Sequence, residues 1–225
     1  MKTAVFCVGV LGLAFVLTLV LSDFQLSLLT EMLIAGLFAM SLNLIMGYGG
    51  MVHFGHAAFF GIGGYTVAIA STRLGVAPFV AFLLAPFVSA LAGLVIGWFC
   101  VRRTQLYFSI LTLAFAQLVY MLAFQAREVT NGDDGIQGLP LPEAVAGIVP
   151  SFAFTVLVVL LCYLLIRHLV QTPFILVLKA TRDNPDRARF IGVDVRAQQL
   201  AVFVIGAFFA GVAGALAHVR AGCAR

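Results

Sequence analysis

Along this chain apolar residues run in long unbroken blocks separated by short polar stretches, and nowhere alternate with polar ones. A helix needs roughly 20 apolar residues to cross the hydrocarbon of a bilayer, whereas a membrane strand would alternate. Seven spanning segments are therefore expected, at 3–22, 28–47, 51–71, 77–100, 106–124, 148–168 and 199–219. The third carries glycines and two histidines in "MVHFGHAAFFGIGGY" and is expected to be broken or re-entrant. The pattern predicts an all-α, polytopic membrane helix bundle, one domain over 1–225 with an inner loop at 171–199.

Composition agrees with the pattern. The chain is 63% hydrophobic and only 10% charged, with a mean hydropathy of +1.12, where a soluble domain carries about 25% charged residues. One lysine and then uncharged residues open the sequence, without an A-x-A-like cleavage site, so a retained first helix is expected. Charge placement orients the bundle. With the N-terminus in the cytoplasm, Lys2, Arg102, Arg103, Arg167, Lys179, Arg182, Arg187, Arg189 and Arg196 fall inside. Arg73 and Arg127 alone fall in outer loops, with Arg220 and Arg225 on the tail after the seventh segment, and the 125–147 loop is acidic, with Glu128, Asp133, Asp134 and Glu143. That is the positive-inside distribution. The net charge of +4 thus reports topology, and no nucleic-acid partner is expected.

Small residues mark expected helix contacts, because in lipid close packing replaces the hydrophobic drive. On a helix, Ala57, Gly61, Gly64 and Ala68 share a face, with Phe59, Phe60 and Tyr65 opposite; Gly93 and Gly97, and Gly206, Ala210, Gly214 and Ala217, repeat the theme. Cys7, Cys100, Cys162 and Cys223 are far apart and have neither metal nor disulfide spacing.

The histidines admit three readings. His53 and His56 are three apart, so on a helix they would share a face and could supply two imidazoles to a metal. No carboxylate or cysteine lies nearby in sequence, and no metal or other cofactor is expected. Asn43, Tyr48, His53, His56 and Tyr65 could instead line a polar path, or brace neighbouring helices. "GYGG" at 47–50 marks a turn or helix break. Glu31, the one acid inside an apolar block, is expected to reach the interface at a helix end.

In the inner loop, Asn184 is a good N-cap, Pro185 suits the first helical position, Asp186 complements the helix dipole and Gly192 suits a left-handed cap. Ala188 and Ile191 would form an apolar ridge between Arg187 and Arg189. Two turns are too short to be stable alone, so the bundle, lipid headgroups or a partner must hold them.

Two stretches carry a family resemblance. Asn43-Leu44, Gly47-Tyr48, Gly50 and "FGHAAFFGIGGYT" at 54–66 resemble the LivM-type permease, the membrane subunit of branched-chain amino acid ABC importers. Many relatives have a Gln and a Ser where this chain has Met51 and His53, so the match extends to Gly55 and His56 but not to those two. "LKATRDNPDRARFIGVDV" is similar to that family's loop for the ATPase subunits, with Ala180, Arg182, Asn184, Pro185, Ala188 and Gly192 in place; "FFAGVAGALA" and "TNGDDGIQGLP" are similar to further family segments.

The resemblance implies alternating access in a bacterial inner membrane. It also implies two cytoplasmic ABC ATPases, a second related permease, a periplasmic substrate-binding protein and surrounding lipid. Asn43, Tyr48, Gly55, His56 and Tyr65 would line or brace the path. Family members continue past "AGALAHV" with further helices, so a C-terminal truncation is expected. Permeases for urea or short amides share the pattern and remain an alternative. No G-x-x-x-x-G-K-[ST] occurs, so the ATP-hydrolysing enzyme would be a partner. A metal-binding membrane enzyme built on His53 and His56, or a proton-coupled carrier using Glu31, are the readings of another class.

Overall fold

The computed structural model describes residues 2–102, 105–132, 136 and 147–223; Arg103, Asp133, Asp134, Glu143 and Arg225 lie outside them. Among the described residues the chain is helical, without strands. The helices are α1 (Lys2–Val20), α2 (Asp23–Asn43), α3 (His56–Thr72), α4 (Pro78–Cys100), α5 (Gln105–Gln125), α6 (Arg127–Thr130), α7 (Ile148–Val170), α8 (Pro173–Asp183), α9 (Pro185–Phe190) and α10 (Val195–Cys223). A π-helical turn, Leu44–Tyr48, prolongs α2. Among the described residues, five stretches are long and apolar enough to cross a membrane: Asp23–Tyr48, α4, Leu106–Gln125, α7 and Val195–Gly222. The apolar stretch of α1 is shorter, Cys7–Val20. Helix α3 has 17 residues, about 25 Å at 1.5 Å per residue, so the third expected segment is a short helix preceded by an irregular stretch.

Helix α10 is the axis of the bundle, with 67% of its apolar stretch buried against 17% for α5. Its neighbours approach through small residues. A Cβ on Gly93 would lie 2.6 Å from the Ala207 Cβ, one on Gly206 2.6 Å from Ile45, and one on Gly63 2.3 Å from the Gly211 carbonyl oxygen. The contact face of α3 is thus Gly63 and Gly64. Of the expected face, Gly64 and the fully buried Ala68 turn inward, but Ala57 is exposed and nothing lies within 4 Å of a Cβ on Gly61. Phe59, expected on the outer side, is 1% exposed and meets Phe203 edge-on at 5.5 Å. Spacing finds the small residues, but which face of α3 turns inward depends on where α10 lies.

Side-chain pairs group the helix ends. Arg220 of α10 donates to Glu31 of α2, and Arg73 after α3 donates to Asn131 after α6, 3.2 Å. At the opposite end of α2, Arg182 of α8 donates to the Gly47 carbonyl. Arg102, following α4, lies over the Trp98 ring at 4.3 Å, an aromatic–cation pairing suited to a membrane interface. These ends alternate as a chain crossing repeatedly requires, so this is a multi-pass membrane protein.

Candidate functional site

Where α2 ends, the backbone widens into the π turn. The Gly49 N–H donates to the Leu44 carbonyl, 3.2 Å, and the Met51 N–H to the Ile45 carbonyl, 3.2 Å. Such turns inside helices recur at functional sites. Gly50 has φ +67°, a left-handed conformation that favours glycine, and the chain then runs without helix until Gly55. His53 lies in that irregular stretch, so the two histidines do not share a helical face. Both are nonetheless buried, at 4% and 3% exposure, with ring centroids 5.4 Å apart. Gly55 is packed too tightly for a side chain, since a Cβ would lie 2.2 Å from the Thr112 carbonyl oxygen of α5.

His56 braces α3 against α2. The Ser41 hydroxyl donates its one hydrogen to the Phe38 carbonyl, 2.7 Å, so at 2.7 Å from the same oxygen His56 Nε2 is the donor. His56 also packs on Phe38, centroids 4.9 Å apart. His53 is ringed by Phe203 at 5.0 Å, Phe59 at 5.9 Å and Phe108 at 6.1 Å. Neither His53 nitrogen nor His56 Nδ1 has a hydrogen-bond partner among the described residues, and no group of three or more His, Cys, Asp or Glu lies together there. The donor set offered to a metal is two imidazoles walled by phenyl rings, short of the three protein ligands a catalytic zinc uses.

Ser41 carried no motif. It is expected to matter, because removing its oxygen orphans a buried donor. Interhelical hydrogen bonds in membranes are worth about 0.6 kcal/mol on average, and the stranded group adds its own desolvation. Ser41→Ala is expected to destabilise the bundle by about 1–3 kcal/mol. Ser71→Ala, at a buried serine bonded only to carbonyls of its own helix, is expected to stay within about 0.5 kcal/mol of the parent. Thermal melts of both variants in detergent read the difference, and equal melting points would remove His56 from its bracing role.

Of the other expected path residues, Tyr65 lines a cavity of about 850 Å³ between α3, α4 and α5, together with Thr66, Gln117, Tyr120 and Thr130. The cavity exists because α5 is fixed near its start, where Ser109 donates to the Val52 carbonyl, 2.8 Å, and stands away from α3 farther along. Asn43 does not join the set. It is exposed, and its Oδ1 lies back against Gly47 of its own turn, 2.1 Å from where a Cβ would be. On this chain by itself Asn43 therefore lines no enclosed cavity with Tyr65 and stands on the exposed surface at the α2 break.

The inner loop folds onto the same break. Helix α8 was not expected as a separate element, although Thr172-Pro173 opens it as Asn184-Pro185 opens α9. It buries Ile175, Leu178 and Thr181, one stripe at three-residue spacing. From its exposed side, Lys179 places Nζ 5.2 Å above the Tyr48 ring, and the stem of Arg182 lies against Gly50, 2.6 Å from where a Cβ would be. Thus Tyr48, Gly47, Gly50, Lys179 and Arg182 form one cluster.

Helix α9 follows, with Asn184 Oδ1 accepting from the Arg187 N–H, 2.9 Å, Pro185 in the first turn and Gly192 at φ +88°. Ala188 is buried, whereas Ala180, Arg182, Asn184, Pro185 and Gly192 are exposed. The expected ridge of Ala188 and Ile191 is split: Ala188 packs inward, while Phe190 is 90% and Ile191 79% exposed. Seating a short helix by Ala188 necessarily turns the neighbouring positions outward.

A family model described as branched-chain amino acid transport system / permease component matches residues 24–225. The chain is 26% identical over 248 aligned residues to the high-affinity branched-chain amino acid transport system permease protein LivM of Escherichia coli, and equally to that of Salmonella typhimurium. Each match covers 98% of this chain and 58% of the relative. It is 25% identical over 214 residues to a probable branched-chain amino acid transport permease protein LivM of Methanocaldococcus jannaschii, 79% of this chain and 62% of the relative. The chain therefore spans about three fifths of the length of these curated relatives. No solved structure matches it.

Proposed function

As this chain belongs to the family of branched-chain amino acid transport permease components, we propose that it is a membrane subunit of an ATP-driven ABC importer that carries branched-chain amino acids across a bacterial inner membrane. Its N-terminus lies in the cytoplasm, which puts the basic α7–α10 connection there. The single observation that carries the reading is the cluster at the α2 break: Arg182 donates to Gly47 and Lys179 covers Tyr48, while α9 holds out Phe190 and Ile191. Two exposed large apolar residues on a capped helix are the anchor type that fills a partner's pocket. A push on α9 passes through α8 to the backbone where α2 gives way to α3, and from there to His56.

The ATPase subunits dock on α9, a second related permease completes the path, and a periplasmic protein delivers substrate. Permeation of urea or a short amide is the second reading, favoured by the uncharged polar lining of the α3–α5 cavity at Tyr65, Gln117 and Tyr120.

The test is purification of the tagged chain from its host in mild detergent, with mass spectrometry of what accompanies it. Two P-loop ATPases and a second permease are expected; a stable, monodisperse chain without either would overturn the importer reading. Arg182→Met is expected to leave that co-purification intact while lowering uptake by cells about tenfold or more, because a charge-assisted hydrogen bond contributes about 1.5–3 kcal/mol. Unchanged uptake would remove Arg182 from the coupling route.

A further inference from the structure

At the end of the bundle away from α8 and α9, a cavity of about 420 Å³ opens between α2, α3 and α10. Its lining is apolar, from Ile34, Ala35, Phe38, Ala57, Phe60 and Ala217, and among the described residues only two ionisable ones border it, Glu31 and Arg220. These two are paired with each other across the helices. The arrangement is asymmetric in exposure: the Glu31 side chain is 58% exposed and Arg220 21%. Phe38 and Phe60 meet edge-on at 5.4 Å on the wall, and behind Phe38 stands His56, itself tied to Ser41. Packed rings thus back the cavity, while two long paired side chains border it.

One carboxylate and one guanidinium at the mouth of an aliphatic and aromatic cavity match one ligand class closely. A free α-amino acid at neutral pH carries a carboxylate and an ammonium on adjacent atoms, and no net charge. We infer that Glu31 and Arg220 bind the zwitterionic head of an amino acid with an aliphatic side chain, which the cavity receives. The carboxylate takes the place of Glu31 on Arg220, whose planar fork suits two carboxylate oxygens. The ammonium goes to Glu31. Charge balance is preserved at every stage, because one ion pair is exchanged for two and neither protein charge is left alone. Without ligand the two residues satisfy each other. A neutral amide such as urea gains nothing from this pair, since it would have to separate two charges and return none. A size of 420 Å³ falls within the usual range for small-molecule sites, about 300–1,000 Å³.

The inference rests on the permease reading and names the residues that would receive its substrate on the outer side. The experiment is binding of radiolabelled L-leucine at up to millimolar concentration to the purified full chain in lipid nanodiscs. Competition by unlabelled compounds and a thermal melt accompany each variant. Leucine is expected to bind and to be displaced by valine and isoleucine. Leucinamide, which lacks the carboxylate, and 4-methylpentanoate, which lacks the ammonium, are expected not to compete, and glycine only weakly. Arg220→Gln and Glu31→Gln are each expected to weaken leucine binding by about tenfold or more, with Arg220→Lys between them and the parent.

Ala217→Phe keeps both charges, fills the cavity and is expected to abolish binding, so the site is tested even if a charge variant fails to fold. Unchanged leucine affinity in well-folded Arg220→Gln and Ala217→Phe would overturn the site and leave the importer reading standing. ATPases that co-purify with a chain unable to bind leucine would likewise overturn the site alone. Binding of labelled urea in place of leucine would overturn both the site and the amino-acid substrate.

Discussion

Replacing Phe190 and Ile191 together by aspartate is expected to strip the ATPase subunits from the chain and leave the bundle folded. Both side chains point away from the protein, at 90% and 79% exposure, so the bundle loses no packing; exposed substitutions of this kind usually stay within about 0.5 kcal/mol. The seat of α9 is elsewhere, in buried Ala188 and in the Asn184 cap. For a partner the effect is the reverse. Apolar anchors desolvated in a pocket cost about 2 kcal/mol or more each when removed, and two of them correspond to roughly a thousandfold in affinity. A carboxylate forced into the same pocket adds repulsion. Co-purification of the ATPases with the double variant, at parental thermal stability, measures this directly. Undiminished recovery would place the ATPase contact elsewhere and leave α9 a solvated turn.

Gly214→Ala is expected to be the most damaging single-methyl change in the bundle. The added Cβ would lie 1.9 Å from the Phe60 carbonyl oxygen, with Gly64 N 3.1 Å away. No side chain can swing aside, because the obstacle is backbone of α3, so the two helices must separate. Overpacking costs typically 1–3 kcal/mol and sometimes more, and the upper end is expected where backbone meets backbone. Separating α3 from α10 also gives up the close contacts that hold helices together in lipid. Gly61→Ala is the control: it faces the open cavity with nothing within 4 Å, and alanine is the better helix former by about 1 kcal/mol. It is expected to be neutral or slightly stabilising. Melting of the two variants by fluorescence-detected size exclusion distinguishes them; coincident transitions would mean that α3 and α10 are not in this register.

The two substitutions show unequal legibility. Helix α9 was readable because its determinants are local: a capping side chain, a proline that needs no partner, and a glycine for the left-handed end. Helix α8 had the same Thr-Pro opening and a buried stripe at Ile175, Leu178 and Thr181, but the stripe is short and merges with the apolar end of α7. The pairing of Glu31 with Arg220 spans 189 residues, and no local pattern announces it. Periodicity also misleads once the backbone stops being helical. It gave His53 and His56 one helical face by counting three residues along a helix that begins only at His56, whereas the two rings, 5.4 Å apart, are brought together by the irregular stretch before it.

By itself, the sequence determined the membrane as solvent, the helical class, the two-sided charge distribution and the family motifs. Each depends on residues close together in the chain, and lipid forces every backbone polar group to be satisfied within a local helix. The tertiary structure alone decided which glycine faces meet, why His56 finds Ser41, how Arg182 reaches the α2 break and where Glu31 and Arg220 enclose a cavity. Those depend on the relative placement of α2, α3, α8 and α10. In lipid, apolar residues are equally at home on every face of a helix, so hydrophobic pattern carries no record of that placement.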